Sequence, residues 1–231
     1  MSSVRRNARV AGLFYLLLSI MAPLRLLYIP GKLFVKDDAA ATAGNIAAHE
    51  TLFRLGIVSE ALCGVILIFL VLALYRLFKD VSRDLAVLVV IVGGIIPAAI
   101  DFLIVMNDIA ALQLVHGSSV LAAFDASQRH ALALFFVRLH GQQVLVAEIL
   151  WGIWLFPLGM LTMRSGFLPR LLGILLIING AAYLALSISG LVFTQYEPFF
   201  ARYTFPLLFG ELAFMLWLVI KGAREPDLAR G

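Results

Sequence analysis

Residues 85–115 read LAVLVVIVGGIIPAAIDFLIVMNDIAALQLV, a run in which Asp101 and Asp108 are the only charged positions. A helix crossing about 30 Å of hydrocarbon needs roughly 20 apolar residues, so this run is long enough to span a membrane with several residues to spare. It lacks the alternation of a barrel strand, and in lipid a helix satisfies every backbone donor within its own segment. At 1.5 Å per residue the run reaches about 46 Å. Gly93-Gly94 and Pro97 therefore predict a kink, a tilt or a projection beyond the bilayer.

Comparable runs lie on both sides of it. They cover about 10–29, 52–77, 128–163, 169–192 and 203–221, which makes six transmembrane helices in one integral membrane domain, 1–231, of all-α class. The whole composition agrees, with 62% hydrophobic and only 14% charged residues and a mean hydropathy of +1.00. These values exclude an ordinary soluble domain. The fourth run shares the excess length of the third, so the two predict a helical hairpin projecting on the extracytoplasmic side, with His116-Gly117-Ser118-Ser119 at its turn. Asp37 or Asp38 is the expected N-cap of a short surface helix over 39–48, and Asp125 or Ser127 that of the fourth span. Gly166 is expected just past the end of the fourth span, with Pro169 opening the fifth.

Arg5, Arg6 and Arg9 before an apolar stretch resemble a signal peptide, but Ala22 is followed by Pro23 and offers no cleavage site. The segment reads as an uncleaved first span. The single cysteine, Cys63, lies inside an apolar run and reads as a small core residue. The basic residues do not form one patch, so nucleic acid is not an expected partner. They lie in short loops at span ends and carry an orientation signal. Eleven of them (Arg5, Arg6, Arg9, Arg76, Lys79, Arg83, Arg164, Arg170, Lys221, Arg224, Arg230) fall on one side and four (Lys32, Lys36, Arg129, Arg202) on the other. The richer side is the cytoplasmic one, which places both termini there in an inner or plasma membrane and requires an even number of spans.

Several motifs carry a family resemblance. They are Phe53-Arg54-Leu55-Gly56-Ile57-Val58-Ser59, Leu139-His140-Gly141, the turn 164–170 (RSGFLPR) followed by Leu172-Gly173, Gly210-Glu211-Leu212, and the segment 38–43 (DAAATA). With them the chain resembles a bacterial family of uncharacterised multi-pass membrane proteins known only as a domain of unknown function. The resemblance implies the topology and brings no activity with it.

Chemistry has to be sought among the polar residues within spans, because an ionisable group at a helix centre costs about 2.5–3.5 kcal/mol on insertion scales. Counted from the cytoplasmic ends, Arg25, Arg54, Glu60, Asp101, Asp108, Arg138, His140 and Glu148 all fall in the outer half, with Asn107, Gln142 and Gln143 beside them, and Glu211 lies near mid-depth. This asymmetry predicts an outward-facing polar cavity over an apolar floor. Its expected ligand-binding residues are Arg54, Glu60, Asp101, His140, Gln143, Glu148 and Glu211. Asp101 and Asp108, seven apart, share a helical stripe. Plainer readings compete at several positions. Glu50 and Arg54 have the spacing of a surface helix pair, Arg25 can reach the outer headgroups, and Asp108 and Arg138 can be solvated on the projecting hairpin.

No zinc-protease, nucleophile-elbow, Walker or dinucleotide-binding motif occurs, and no cysteine pair. Neither a cofactor nor a metal is therefore expected. The leading expectation is binding of a small polar, cationic or lipidic ligand by a sensor-, receptor- or transporter-like protein in the lipid bilayer. A metal-assisted intramembrane hydrolase using His140 and the carboxylates is the first alternative, and a structural or assembly factor the second.

Overall fold

The computed structural model describes residues 3–224, the side chains at 197, 198, 200, 201 and 205 excepted. Arg230, counted above among the basic residues, lies outside them. The described residues form helices and turns with no strand. Six helices are long and apolar enough to cross a membrane: α1 (Ser3–Leu33), α3 (Glu50–Phe78), α4 (Arg83–His116), α5 (Ala126–Arg164), α6 (Arg170–Val192) and α7 (Arg202–Ile220). A short helix, α2 (Ala39–Ala48), precedes α3. The six spans coincide with the apolar runs of the sequence.

Backbone interruptions occur where residues remove donors or side chains. In α4, Gly93-Gly94 sit in a π segment, Ile91–Ile95, a few residues before Pro97. A second π segment, Leu24–Tyr28, lies just ahead of Pro30 in α1 and closes with the Ile29 N–H on the Leu24 carbonyl. Proline lacks the N–H and crowds the preceding turn, so the helix accommodates it by widening locally. Regular helix then resumes through Pro30 to Leu33, beyond the expected end near residue 29. In α5 the regular helix stops at Ile153 and restarts at Leu155. Pro157 is the cause, since it cannot donate to the carbonyl four residues earlier.

The chain forms two compact units. The first comprises Met1–Ser19, Val65–Ala98 and Leu145–Gly231. Its core includes Leu70, Leu74, Phe78, Leu155, Leu158, Leu176 and Phe214. Here α5 and α6 approach closely on glycine. A Cβ on Gly152 would lie 2.7 Å from the Gly180 carbonyl oxygen, and one on Gly173 would lie 2.5 Å from that of Gly159. The pairs are one heptad apart on antiparallel helices, a small-residue seam of the kind that lets membrane helices pack backbone to backbone. Gly166 ends α5 with φ +70°, and Pro169 precedes α6, both as expected.

The second unit comprises Ile20–Gly64 and Ala99–Val144, with a core of Ile29, Leu33, Ile46, Phe53, Ala111, Leu112, Ala133 and Val137. Asp38 caps α2 by accepting from the Ala41 N–H at 2.8 Å. The segment before it is stitched down by Thr42, whose Oγ1 accepts from the Val35 N–H at 2.9 Å, and by Asn45, whose Nδ2 donates to the Leu33 carbonyl at 3.1 Å. The hairpin turns at Gly117, and α5 opens with a capping box in which the Gln128 N–H donates to Asp125 Oδ1 at 2.8 Å and the Asp125 N–H to Gln128 Oε1 at 3.0 Å.

Candidate functional site

Within the second unit, four helices each contribute one ionisable side chain to a single buried cluster: Arg25 from α1, Glu60 from α3, Asp108 from α4 and His140 from α5. Arg25 and His140 are each 2% exposed and Asp108 is fully buried. The guanidinium grips Asp108 through both oxygens, Nε to Oδ2 at 2.5 Å and Nη2 to Oδ1 at 2.7 Å. Such a two-pronged charged pair fixes geometry as well as charge. The same Nε lies 3.9 Å from Glu60 Oε2.

His140 stands between the two carboxylates. Its Nδ1 faces Asp108 Oδ1 at 3.4 Å, and its Nε2 faces Glu60 Oε1, also at 3.4 Å. The Ile104 backbone is beside the ring as well. Neither ring nitrogen makes a well-formed hydrogen bond, nor does Glu60 Oε2, although all three atoms are shielded from solvent.

Local sequence explains how these groups meet. Arg25 lies in the widened turn ahead of Pro30, which shifts the register of the side chains within it. Gly56, one turn before Glu60, admits α1, because a Cβ there would fall 2.2 Å from Ile29 Cδ1 and 3.3 Å from Arg25 Cδ. Ser59 ties α3 to α1 by donating to the Met21 carbonyl at 3.0 Å. Phe34 lies over the guanidinium with its ring centre 5.5 Å away, which adds a cation–π contact in a site screened from water.

The sequence-derived candidates separate into four groups. Glu60 and His140 are in the cluster. Asp101 is half-buried on α4, within electrostatic reach of Glu60 and of Cys63. Gln143 joins α5 to α4 by accepting from the Asn107 amide, which also donates to the Ile104 carbonyl. Arg54 stands apart: it is 58% exposed and pairs with Glu50 at 2.5 Å, the surface helix pair that its spacing permits. Glu148 and Glu211 belong to the first unit. There Glu211 accepts from the Tyr15 hydroxyl and from Tyr183, while its backbone N–H donates to Asn179 Oδ1 at 3.0 Å.

Two expectations are corrected. Arg25 does not reach for headgroups and Asp108 is not solvated on the hairpin; each is the other's partner in the interior. Burying both is tolerated because they are paired, whereas either alone would leave an uncompensated charge. Opposite charges on different spans, on the same side of the membrane by the residue count, were the signal available for them. Arg138 does lie near the surface, where it pairs with Asp37.

Comparison with known proteins gives the chain a family. No solved structure matches it. Over 80 residues it is 40% identical to an uncharacterized protein of Archaeoglobus fulgidus, a stretch making up 35% of this chain and 46% of that protein, so the match spans about half of the relative. The family model for the domain of unknown function DUF4386 matches residues 10–222. The protein is thus an integral membrane protein of six spanning helices that belongs to the DUF4386 family.

Proposed function

We propose that the protein binds a small, positively charged ligand at the cluster of Arg25, Glu60, Asp108 and His140, as a sensor- or transporter-like membrane protein rather than an enzyme. The observation that carries this reading is the imbalance of the cluster. One guanidinium stands against two carboxylates, and Glu60 Oε2 and both nitrogens of His140 are buried without a hydrogen bond. A buried carboxyl lacking a counter-charge either takes up a proton or costs several kcal/mol, and a bound cation can replace that proton or offset that cost. Glu60 is the carboxylate freest to meet the ligand, because each oxygen of Asp108 already accepts from Arg25 and keeps only its remaining lone pair. The distribution of basic residues supports a placement with both termini in the cytoplasm and the cluster in the outer half of the membrane. Asp101 and Gln143 extend the polar lining in the same unit. Glu148 and Glu211 are proposed to serve the first unit instead.

A thermal-unfolding screen of the purified protein in detergent tests this. Alkali cations, tetramethylammonium, spermidine and divalent metal ions should include at least one that raises Tm by several degrees in the wild type and not in Glu60→Gln, whereas neutral sugars and small carboxylates should not. If no cation shifts Tm, the reading is wrong and the cluster serves packing. Reporter fusions after Arg83, Arg170 and Lys221 should report cytoplasm, and fusions at Lys36 and Gly117 the outside. A second reading, a metal-assisted hydrolase, is favoured by one observation: Glu60, Asp108 and His140 each offer a donor atom, all within 4.8 Å of one another.

A further inference from the structure

The geometry points to a divalent first-row transition-metal ion as the cation of this cluster, held by Glu60, Asp108 and His140, with Arg25 positioning Asp108. The inference rests on the cation-binding reading above and narrows it to one chemical class.

Three features carry it. The first is spacing. Two ligands about 2.1 Å from a tetrahedral ion stand about 3.4 Å apart, and His140 Nε2 and Glu60 Oε1 are separated by 3.4 Å. The third donor, from Asp108, lies within the same 4.8 Å set. The second is the state of the donors. His140 is almost completely buried, its two nitrogens face carboxylates without a well-formed hydrogen bond, and Glu60 Oε2 likewise has no hydrogen-bond partner. The Ile104 carbonyl is the ordinary acceptor in reach of the ring, yet neither ring nitrogen meets it in good geometry, whereas buried polar atoms are overwhelmingly satisfied. The third is donor chemistry. One imidazole nitrogen with carboxylate oxygens suits zinc, cobalt, iron or manganese. Calcium and magnesium favour all-oxygen shells, and magnesium usually keeps several waters.

The surrounding contacts resemble an outer coordination shell. One ring nitrogen of His140 would take the ion, and a carboxylate stands 3.4 Å from either nitrogen, Asp108 at Nδ1 and Glu60 at Nε2. Arg25 holds Asp108 from behind through both oxygens, leaving each oxygen a further lone pair. The formal charges are +1 for Arg25, −1 each for Asp108 and Glu60, and +2 for the ion. The resulting +1 favours an anionic ligand in a remaining coordination position, and ionisation of a bound water would supply one.

The test uses the full chain in detergent with any affinity tag removed, titrated with Co2+ while its visible d–d absorption is followed. The expected result is one equivalent bound with bands stronger than those of the aqua ion, displaced by Zn2+. These bands should disappear in His140→Gln and in Glu60→Gln and persist in His116→Gln, a surface histidine paired with Glu50. Thermal melts of each variant without metal establish that it is folded. A folded wild type that gives no such bands, or bands that survive in His140→Gln, overturns the inference. If spermidine or tetramethylammonium raises Tm in a Glu60-dependent way while Co2+ does not bind, the metal assignment fails and the cation-binding reading stands. If no cation of either kind acts, both fail.

Discussion

The two compact units solve the same problem, a carboxyl group within a transmembrane segment, by different chemistry. In the first, Glu211 is met by neutral groups, the hydroxyls of Tyr15 and Tyr183, beside helices that close on each other through Gly152, Gly159, Gly173 and Gly180. In the second, Asp108 and Glu60 are met by a guanidinium and an imidazole, and atoms of Glu60 and His140 are left without hydrogen bonds. Neutral donors and tight glycine seams suit a scaffold. Charged groups that are only partly satisfied suit a site, because a ligand can still improve their energy.

The largest break in this comparison should come from Arg25→Met. Removing the guanidinium strands a fully buried Asp108, and breaking such a pair costs about 3–5 kcal/mol. Thermal unfolding should show a large fall in Tm, much of which returns in the double variant Arg25→Met/Asp108→Leu. Equal losses in the single and double variants would mean that the pair does not carry the cost.

Next in size is Gly173→Val in the first unit. Its side chain would enter the Gly159 carbonyl, an overpacking that costs about 1–3 kcal/mol. Cation binding at the second unit should keep its stoichiometry in this variant, so a coupled loss of binding would blur the division between scaffold and site. Tyr15→Phe should be milder, about 1 kcal/mol for one lost hydrogen bond, because Tyr183 still reaches Glu211. Unfolding measured in parallel with Tyr183→Phe sharpens the point, since the two changes together should exceed the sum if the hydroxyls share one carboxyl. At the small end, Arg54→Gln should leave Tm and Co2+ binding unchanged, as Arg54 is largely exposed and, among the described residues, paired with Glu50 along its own helix. A clear loss of binding there would return Arg54 to the site.

Much of the fold was legible in local sequence. The apolar run 85–115 carried its own interruption at Gly93-Gly94 and Pro97, Asp38 marked the start of α2, and Gly166 marked the end of α5. Each rests on a rule that acts over one or two helical turns, so neighbours in the chain suffice to read it. Half of the cluster was legible too, because Glu60 and His140 are costly residues deep within apolar segments. Arg54 looked equally costly, yet a partner four residues away had already accounted for it.

What the sequence determined by itself, then, is the membrane as solvent, the six spans, the interruption of the third and a short list of residues whose burial would need compensation. Only the tertiary structure decided who compensates whom. It paired Arg25 with Asp108, set His140 between Asp108 and Glu60, and gave Glu211 to two tyrosines. The physical reason is that burial of a charge depends on the atoms around it in space. Those atoms come from other helices, whose rotation and approach depend on features such as the widened turn ahead of Pro30 and the side-chain gap at Gly56 rather than on anything adjacent to the charge in the chain.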